Sequence, residues 1–181
     1  MRTRLTLAAA RKKVQFCDSY SRMHTIMLAA GHMDLADVRT LLGELWSICD
    51  NVGKYDKLLR MLLPDSAAPE MMTPEERAAL RELPVNVTVY RGADRGVNEQ
   101  GLCWSLDGAV AERFPFFIRY WAKNPVLVTA TVRRADIVAL KLDREEAEVI
   151  TKTAQVLSVR PAVASKEQAS SEKFVGRFRC R

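Results

Sequence analysis

The stretch that most constrains the fold of this chain is residues 85–92, VNVTVYRG, in which apolar and polar side chains alternate. A period of two predicts a half-buried β-strand. Its inward row comprises Val85, Val87 and Val89. Arg91 continues this row as the last residue of the strand, and a guanidinium taken out of water needs a partner because it is always charged. Gly92 then allows the backbone to turn or a ligand to come close.

Two interpretations of Arg91 follow from this stretch. A phosphate or carboxylate ligand in a cleft beside the strand end would suit both the guanidinium and Gly92. Alternatively, Arg91 lies on an edge strand and pairs with a carboxylate on the protein surface. Residues 85–92 alone leave both interpretations open.

The composition predicts a folded chain without a membrane span. Of 181 residues, 48% are hydrophobic and 28% are charged, which is typical of one medium-sized globular domain or of a small domain with a helical appendage. No apolar run approaches the ~20 residues that cross a bilayer. Residues 1–13 are basic, but their apolar run is too short for a secretory signal. We therefore expect a cytoplasmic protein that does not contact membranes.

The cysteines and histidines do not form a metal-binding pattern. None of the cysteines shows CxxC spacing, and the two histidines do not complete a zinc-ligand set with them. Free thiols and ordinary helix histidines are the expected outcome. The residues concerned are Cys17, Cys49, Cys103, Cys180, His24 and His32.

The net charge of +6 is concentrated at the carboxyl end. From residue 152 onward, seven lysines and arginines face two glutamates, so the preceding 151 residues carry a net charge of only +1. A basic tail is typical of a solvated mobile segment, and it also suits contact with nucleic acid or an acidic partner.

The first 84 residues predict helices. Spacings of three and four predict one helix over residues 5–30, with Gly31 as its stop. The predicted apolar face of this helix comprises Phe16, Tyr20, Met23, Met27 and Ala30. Asp34 is the expected N-cap of a second helix, and Pro64 ends a third helix over residues 55–63. No residue of this half is an expected catalytic group.

A capping box marks a fourth helix in this half. Thr73 provides the N-cap, Pro74 the first helical position and Glu76 the reciprocal side chain, so a helix is predicted from residue 74 to about residue 83.

The second half of the chain predicts strands around one short helix. Strands are expected at residues 102–106, 125–132 and 136–140, and residues 148–150 end in a strand-like pattern. Asp107 is the expected N-cap of a helix over residues 108–114, which Pro115 interrupts. An aromatic group follows, and core packing explains most of it, although one ring could stack on a flat ligand. Its members are Phe114, Phe116, Phe117, Tyr120 and Trp121.

Two glutamates share one face of the last predicted strand. In an extended segment, Glu146 and Glu148 point to the same side. Two carboxylates cannot both ionise cheaply if they are buried together, so either both are solvated or one keeps a proton suited to proton transfer.

Three motifs occur in a recognisable order at residues 90–92 (YRG), 101–107 (GLCWSLD) and 144–150 (REEAEVI). Together they resemble the R-S-E class of ADP-ribosyltransferases, in particular small phage and bacterial members with a helical amino-terminal segment. The resemblance covers about residues 85–160 and, more loosely, residues 46–92.

This resemblance implies an α+β fold in three parts. Residues 1–84 would form a helical amino-terminal module, and residues 85–160 a split, mostly antiparallel β core that binds NAD in a cleft. Residues 161–181 would form a basic tail. The family binds NAD without a Rossmann fingerprint, and the sequence contains none.

The resemblance also implies an activity. A mono-ADP-ribosyltransferase, a glycosyltransferase-class enzyme, moves ADP-ribose from its substrate NAD to a macromolecular acceptor and releases nicotinamide without a metal. A protein acceptor is expected, with arginine suggested by the E-x-E pair, and nucleic acid is a second acceptor class through the basic tail. A phage-like effector of this kind would act in the host cytoplasm.

The resemblance also assigns roles to individual residues, according to their positions in the three motifs. Arg91 would hold the NAD phosphates and ribose, and Glu148 would stabilise the oxocarbenium-like transition state as nicotinamide leaves. Glu146 would deprotonate the acceptor. The expected NAD-binding cleft further includes Gly92, Trp104 and Phe114.

The middle motif departs from the family pattern. The family has Ser-x-Ser/Thr, whose first serine orients the invariant glutamate, whereas here Cys103 holds the first position and Ser105 the third. A thiol is a weaker hydrogen-bond donor than a hydroxyl. Either Cys103 still orients Glu148 with support from Ser105, or Ser105 has taken over that role. An NAD glycohydrolase, or an inert member that acts as an interaction module, is therefore the alternative function.

Overall fold

The fold is α+β, with helices in the first half of the chain and most strands in the second. The computed structural model describes residues 4–50, 52–117, 122–143 and 147–163. Its helices are α1 (Leu7–Val14), α2 (Arg22–Ala30), α3 (Leu35–Leu45), α4 (Asp56–Leu62), α5 (Pro74–Glu82) and α6 (Gly108–Arg113). Its strands are β1 (Asn86–Asp94), β2 (Cys103–Ser105), β3 (Pro125–Arg133), β4 (Ile137–Lys141), β5 (Glu148–Thr151) and β6 (Gln155–Pro161). None of these described helices is both long and apolar enough to cross a bilayer.

The strands form one antiparallel sheet that consists of two three-stranded groups. The strand order is β4-β5-β2-β1-β3-β6. β1 pairs with β3 along its whole length, but it pairs with β2 at a single position, where Tyr90 lies opposite Ser105. The sheet therefore divides between β1 and β2, after one point of contact.

β6 was not expected from the sequence. A register shift in its pairing with β3 leaves Leu157 as an extra residue. Val156 and Val159, the half-buried residues of β6, are consequently three positions apart instead of two. A β-bulge of this kind removes the alternation by which a strand is identified in a sequence.

β1 confirms the alternating pattern and corrects its ends. Val87 and Val89 are buried as predicted, but Val85 precedes the strand and is 70% exposed. The strand continues past Arg91 to Asp94 and is an interior strand of the sheet. The interpretation of Arg91 as the last residue of an edge strand is therefore wrong.

The single helix predicted over residues 5–30 is also wrong. α1 and α2 are separate, and Phe16, which was assigned to the buried face, is 89% exposed. The carboxylate of Asp18 accepts hydrogen bonds from the N–H groups of Tyr20 and Ser21, at 3.1 and 2.7 Å. A side chain that binds the backbone two or three residues later favours a turn over a continuous helix, so the chain bends here and α2 begins at Arg22.

The other predicted helix ends are confirmed. α2 ends before Gly31, although this glycine has an ordinary φ of −63°. α3 follows Asp34, which holds the N-cap position but makes no capping hydrogen bond with its side chain. The capping box of α5 is complete, because the Thr73 hydroxyl accepts from the Glu76 N–H at 3.2 Å and the Thr73 N–H donates to the Glu76 carboxylate at 2.8 Å. The carboxylate of Asp107 accepts two N–H groups at the start of α6.

A buried ion pair joins the helical half to the sheet. Lys141, at the end of β4, donates from Nζ to Oε2 of Glu76 at 2.9 Å, and the two side chains are 5% and 3% exposed. Glu76 also accepts the N–H of Leu142 at 3.1 Å, and the N–H of Ala68 donates to the carbonyl of Val138 at 2.8 Å. The segment around α5 thus covers the outer edge of β4, which would otherwise expose unpaired backbone groups.

The apolar core runs without interruption from the helices into the sheet. Its buried members include Ile26 of α2, Leu42 of α3 and Ile150 of β5. Trp46, directly after α3, belongs to the same core. The helical half is therefore packed on the sheet as one hydrophobic unit.

We predict that Lys141→Met destabilises the protein by about 3–5 kcal/mol, because it leaves the buried Glu76 carboxylate without its cation. Lys152→Met is the matched control: Lys152 pairs with Asp65, whose side chain is 93% exposed, so the loss should stay below about 1 kcal/mol. Urea unfolding followed by circular dichroism measures both values. Equal midpoints for Lys141→Met and the unmodified protein would contradict this interpretation of the ion pair.

Candidate functional site

A cleft opens where β1 and β2 part, and the predicted site residues that the structure describes all line it. These residues are Arg91, Gly92, Cys103, Trp104, Ser105, Phe114 and Glu148. Glu146, the predicted base, lies outside the described residues, as do Tyr120 and Trp121 of the aromatic group. Three motifs that are far apart in sequence therefore converge on one surface.

Strand register brings the middle motif next to Glu148. Glu148 lies opposite Ser105 in the pairing of β5 with β2, and Ser105 lies opposite Tyr90 of β1. Residues directly opposite each other in antiparallel strands point to the same face, and Cys103, two residues before Ser105, shares that face. Cys103, Ser105 and Glu148 consequently form a compact polar group at the parting of the sheet.

The carboxylate of Glu148 is held by an indole from the helical half. Nε1 of Trp46 donates to Oε1 of Glu148 at 3.1 Å, and the Trp46 side chain is 2% exposed. We expected no site residue from the helical half, yet it forms a wall of the cleft that also includes Asp50 and Val52. Trp46 follows the apolar face of α3 in sequence, and its partner lies 102 positions away, so the local pattern gives no sign of this contact.

Cys103 is a neutral thiol beside this carboxylate. Burial raises the pKa of the Cys103 thiol well above its ordinary value, and the negative charge of Glu148 raises it further, while Arg91 opposes the shift. A hydrogen bond between Cys103 and Glu148 acts in the same direction as burial. A protonated thiol can donate a hydrogen bond, and the pairing of β2 with β5 places Cys103 on the same face of the sheet as Glu148.

Ser105 has a structural contact of its own. Its Oγ accepts the N–H of Asp107 at 3.0 Å, which fixes the turn between β2 and α6. This bond uses Ser105 only as an acceptor and leaves its O–H free to donate, so both alternatives for the middle motif stay open.

Arg91 bridges the two strands across the opening. Its Nη1 donates to the carbonyl of Cys103 at 2.6 Å, and its Nε donates to the carbonyl of Asn98 at 2.9 Å. The guanidinium lies against Gly101, where an added Cβ would be 2.7 Å from Cζ of Arg91. The partners of Arg91 within the described residues are therefore main-chain carbonyls, and the predicted pairing with a surface carboxylate is not observed among these residues. A guanidinium carries five N–H donors, and these two bonds engage only Nε and Nη1.

The space left by the missing side chain of Gly92 is filled by other residues of the protein. A Cβ at this position would lie 2.2 Å from the carbonyl oxygen of Ala111 and 2.5 Å from Cδ of Pro115. The predicted backbone turn at Gly92 is wrong, because the residue lies within β1 and pairs with Leu127. Its missing side chain lets the end of α6 pack directly on the strand and close one side of the cleft.

The two aromatic residues of the predicted site have different surroundings. Trp104 is 2% exposed, and its indole N–H donates to the carbonyl of Gly101 at 2.9 Å. Phe114 is half-buried at the start of a 3-10 turn, Phe114–Phe116, and meets Phe117 edge-on with ring centroids 5.4 Å apart. Trp104 stabilises the loop before β2, whereas Phe114 offers an aromatic ring on the cleft wall.

The cleft carries charges of both signs. Its charged lining in the described part of the chain comprises Arg91 and the carboxylates of Asp50, Asp94 and Glu148. Asp94 accepts the N–H groups of Asn124 and Lys123 at 2.8 and 3.1 Å, and these bonds lower its pKa. An ionised Asp94 thus lies on the same lining as Arg91. Such a lining suits a ligand with both an anionic and a cationic part.

Comparison with protein-family models, with curated protein sequences and with solved structures found no match.

We predict that iodoacetamide modifies Cys103 at pH 8 at least about tenfold more slowly in the folded than in the urea-unfolded protein, because only the thiolate reacts. Glu148→Gln removes a charge that raises the pKa of Cys103, so it should speed this modification. Cys49 is the internal control. Burial raises the pKa of its thiol to about 11, and the carboxylate that raises it further is Asp50 and not Glu148. Glu148→Gln should therefore leave the modification rate of Cys49 unchanged. Peptide mapping by mass spectrometry gives both rates. Equal Cys103 rates with and without Glu148→Gln would contradict the placement of Cys103.

Proposed function

We propose that this protein is a mono-ADP-ribosyltransferase that transfers ADP-ribose from NAD to a macromolecular acceptor and releases nicotinamide. The observation that carries the proposal is the convergence of Arg91, Cys103 and Glu148 on one cleft, at the point where β1 and β2 part. These residues belong to the three motifs that resemble the R-S-E class, and they are separated by up to 57 positions in the sequence.

The sheet supports an ADP-ribosyltransferase-type core. A split core needs two groups of strands that separate near the ligand, and here β4-β5-β2 and β1-β3-β6 meet at one residue pair. Continuous pairing of β1 with β2 would close the opening. The split core of the family is therefore the fold we propose for residues 85–160.

Glu148 would act on the bond between nicotinamide and the ribose. As this bond breaks, nicotinamide leaves with the electron pair and positive charge develops on the ribose. A carboxylate held in place near that charge stabilises the transition state without having to reorganise. The acceptor then forms the new bond to the ribose carbon and loses a proton, for which Glu146 is the proposed base.

Arg91 would bind the phosphates. The NAD molecule combines a negative pyrophosphate with a positively charged nicotinamide ring, which matches the mixed charges of the lining. The guanidinium can donate to phosphate from N–H groups beyond the two that hold Asn98 and Cys103. Gly92, Trp104 and Phe114 remain predicted members of the NAD cleft, and among them Phe114 offers the ring for stacking on a base.

Cys103 favours a second candidate, an NAD-binding protein with little or no transferase activity. A thiol donates more weakly than the hydroxyl that the family has at this position, so Glu148 would be held less firmly. NAD hydrolysis without transfer, or binding without chemistry, would follow. A protein acceptor remains the first proposal for the transferase, and nucleic acid the second.

We predict that Glu148→Gln lowers the rate of nicotinamide release by about 10²–10³-fold, because it keeps the shape of the side chain and removes its charge. The affinity for NAD and the melting temperature should stay close to those of the unmodified protein. Glu70→Gln, on a half-buried residue that pairs with Arg39 outside the cleft, is the matched control and should retain full activity. Turnover of Glu148→Gln near that of the unmodified protein would refute the assignment of Glu148.

The same reaction, run with labelled NAD and a cell lysate, separates the candidate functions. A labelled macromolecule identifies a transferase, and nuclease or protease treatment of that band tells nucleic acid from protein. Release of free ADP-ribose alone identifies an NAD glycohydrolase. Neither product, together with measurable NAD binding, identifies the inert candidate.

A further inference from the structure

The bond between Trp46 and Glu148 connects the two halves of the chain at the site. Trp46 opens the 3-10 turn Trp46–Ile48 after α3, and Glu148 opens β5. The distance from Nε1 to Oε1 is 3.1 Å, and the indole is almost completely buried. A buried indole fixed by core packing holds its N–H in one direction.

We propose that Trp46 is a positioning residue for Glu148, so that the helical half is a required part of the site and not a separate module. The kinetic consequence of this inference rests on the proposed transferase function. The contact itself can be measured without any activity.

The chemistry of the pair favours a positioning role. An indole nitrogen can only donate, and a hydrogen bond from N–H to an ionised carboxylate is stronger than one between neutral groups. Cys103 approaches the same carboxylate from β2. The indole thus holds the carboxylate of Glu148 from the helical side, which restricts the rotamers that this flexible side chain could otherwise adopt.

The turn that carries Trp46 is itself anchored. The N–H of Cys49 donates to the carbonyl of Trp46 at 3.1 Å and closes the turn. The hydroxyl of Ser47 donates to the carboxylate of Asp143 at 2.9 Å, just beyond the end of β4. The turn is therefore fixed to the chain between β4 and β5, which holds the backbone that carries the indole.

Trp46→Phe tests this role, because it keeps an aromatic ring in the core and removes the N–H. We expect kcat for nicotinamide release to fall on the order of 10- to 100-fold, as for a lost hydrogen bond to a charged group. The KM for NAD should stay within about twofold, because the loss concerns Glu148 and not the binding of the phosphates.

Arg60→Met is the matched control. Nη1 of Arg60 donates to the carbonyl of Lys152 at 2.8 Å, so this bond also joins the helical half to the chain at the end of β5 but does not touch Glu148. Arg60→Met should lower the melting temperature while leaving kcat unchanged. Equal losses of kcat in Arg60→Met and Trp46→Phe would overturn the positioning role, since both would then report general loosening of the fold. An increase in KM at constant kcat in Trp46→Phe would overturn it as well.

NMR tests the contact independently of activity. The chain has three tryptophans, and Trp46→Phe identifies the indole N–H signal of Trp46 in a ¹⁵N spectrum. In Glu148→Gln this signal should shift, because its acceptor changes from a carboxylate to an amide, and the signal of Trp104, which donates to Gly101, should move less. An unmoved Trp46 signal overturns the inference. If the unmodified protein does not turn over NAD, the proposed function fails, and the NMR comparison alone then supports or overturns the position of Trp46.

Discussion

The parting of β1 from β2 after a single residue pair is the constraint on which the site depends. Continued pairing would place Arg91 opposite Trp104 and Gly92 opposite Cys103, and it would close the strands where the cleft now opens. Instead, the guanidinium of Arg91 donates a hydrogen bond to the carbonyl of Cys103, so the arginine side chain bridges the gap between β1 and β2. The guanidinium thus takes the place of a backbone donor: it satisfies the carbonyl of the half-buried Cys103 and remains at the cleft. Gly92 and Gly101 provide the space for this arrangement, the first for α6 and the second for the guanidinium.

The helical half has two functions in the structure. It covers the edge of β4 through the Glu76–Lys141 pair and the backbone bonds beside it, which prevents this edge from pairing with another chain. It also brings Trp46 to Glu148. Both contacts act on β4 and β5, the strands at the end of the sheet that carries Glu148. Stability of the sheet and geometry of the site therefore both depend on the helical half, the first through α5 and the second through the turn after α3.

The predictions that succeeded rest on local physical chemistry. Alternation identified β1, the capping box identified α5, and Asp107 was correctly predicted to cap α6. The deciding contacts of α5 and α6 lie within four residues along the chain, and β1 is marked by a period of two in its own sequence. The predictions that failed need information from more distant parts of the chain or from a weak local signal. The bend between α1 and α2 depends on one aspartate, and the β-bulge hid β6.

The candidate site shows the same limit. The three motifs gave the residues that the structure brings together, and this required the resemblance as well as the alternation. Trp46 was missed because a buried tryptophan on a helix looks the same in sequence whether its N–H meets a backbone carbonyl or a site carboxylate. The two interpretations of Arg91 both overlooked main-chain carbonyls as partners, since the loop that supplies one of them lies between two strands and has no regular pattern.

The most direct measurement is a crystal structure of Glu148→Gln grown with saturating NAD, in which slowed chemistry preserves the ligand. We predict NAD in the cleft between β1 and β2, with its pyrophosphate within hydrogen-bond distance of Arg91 and its nicotinamide ribose beside residue 148. An empty cleft at saturating NAD, or NAD bound elsewhere on the chain, would contradict the assignment of this cleft as an NAD site.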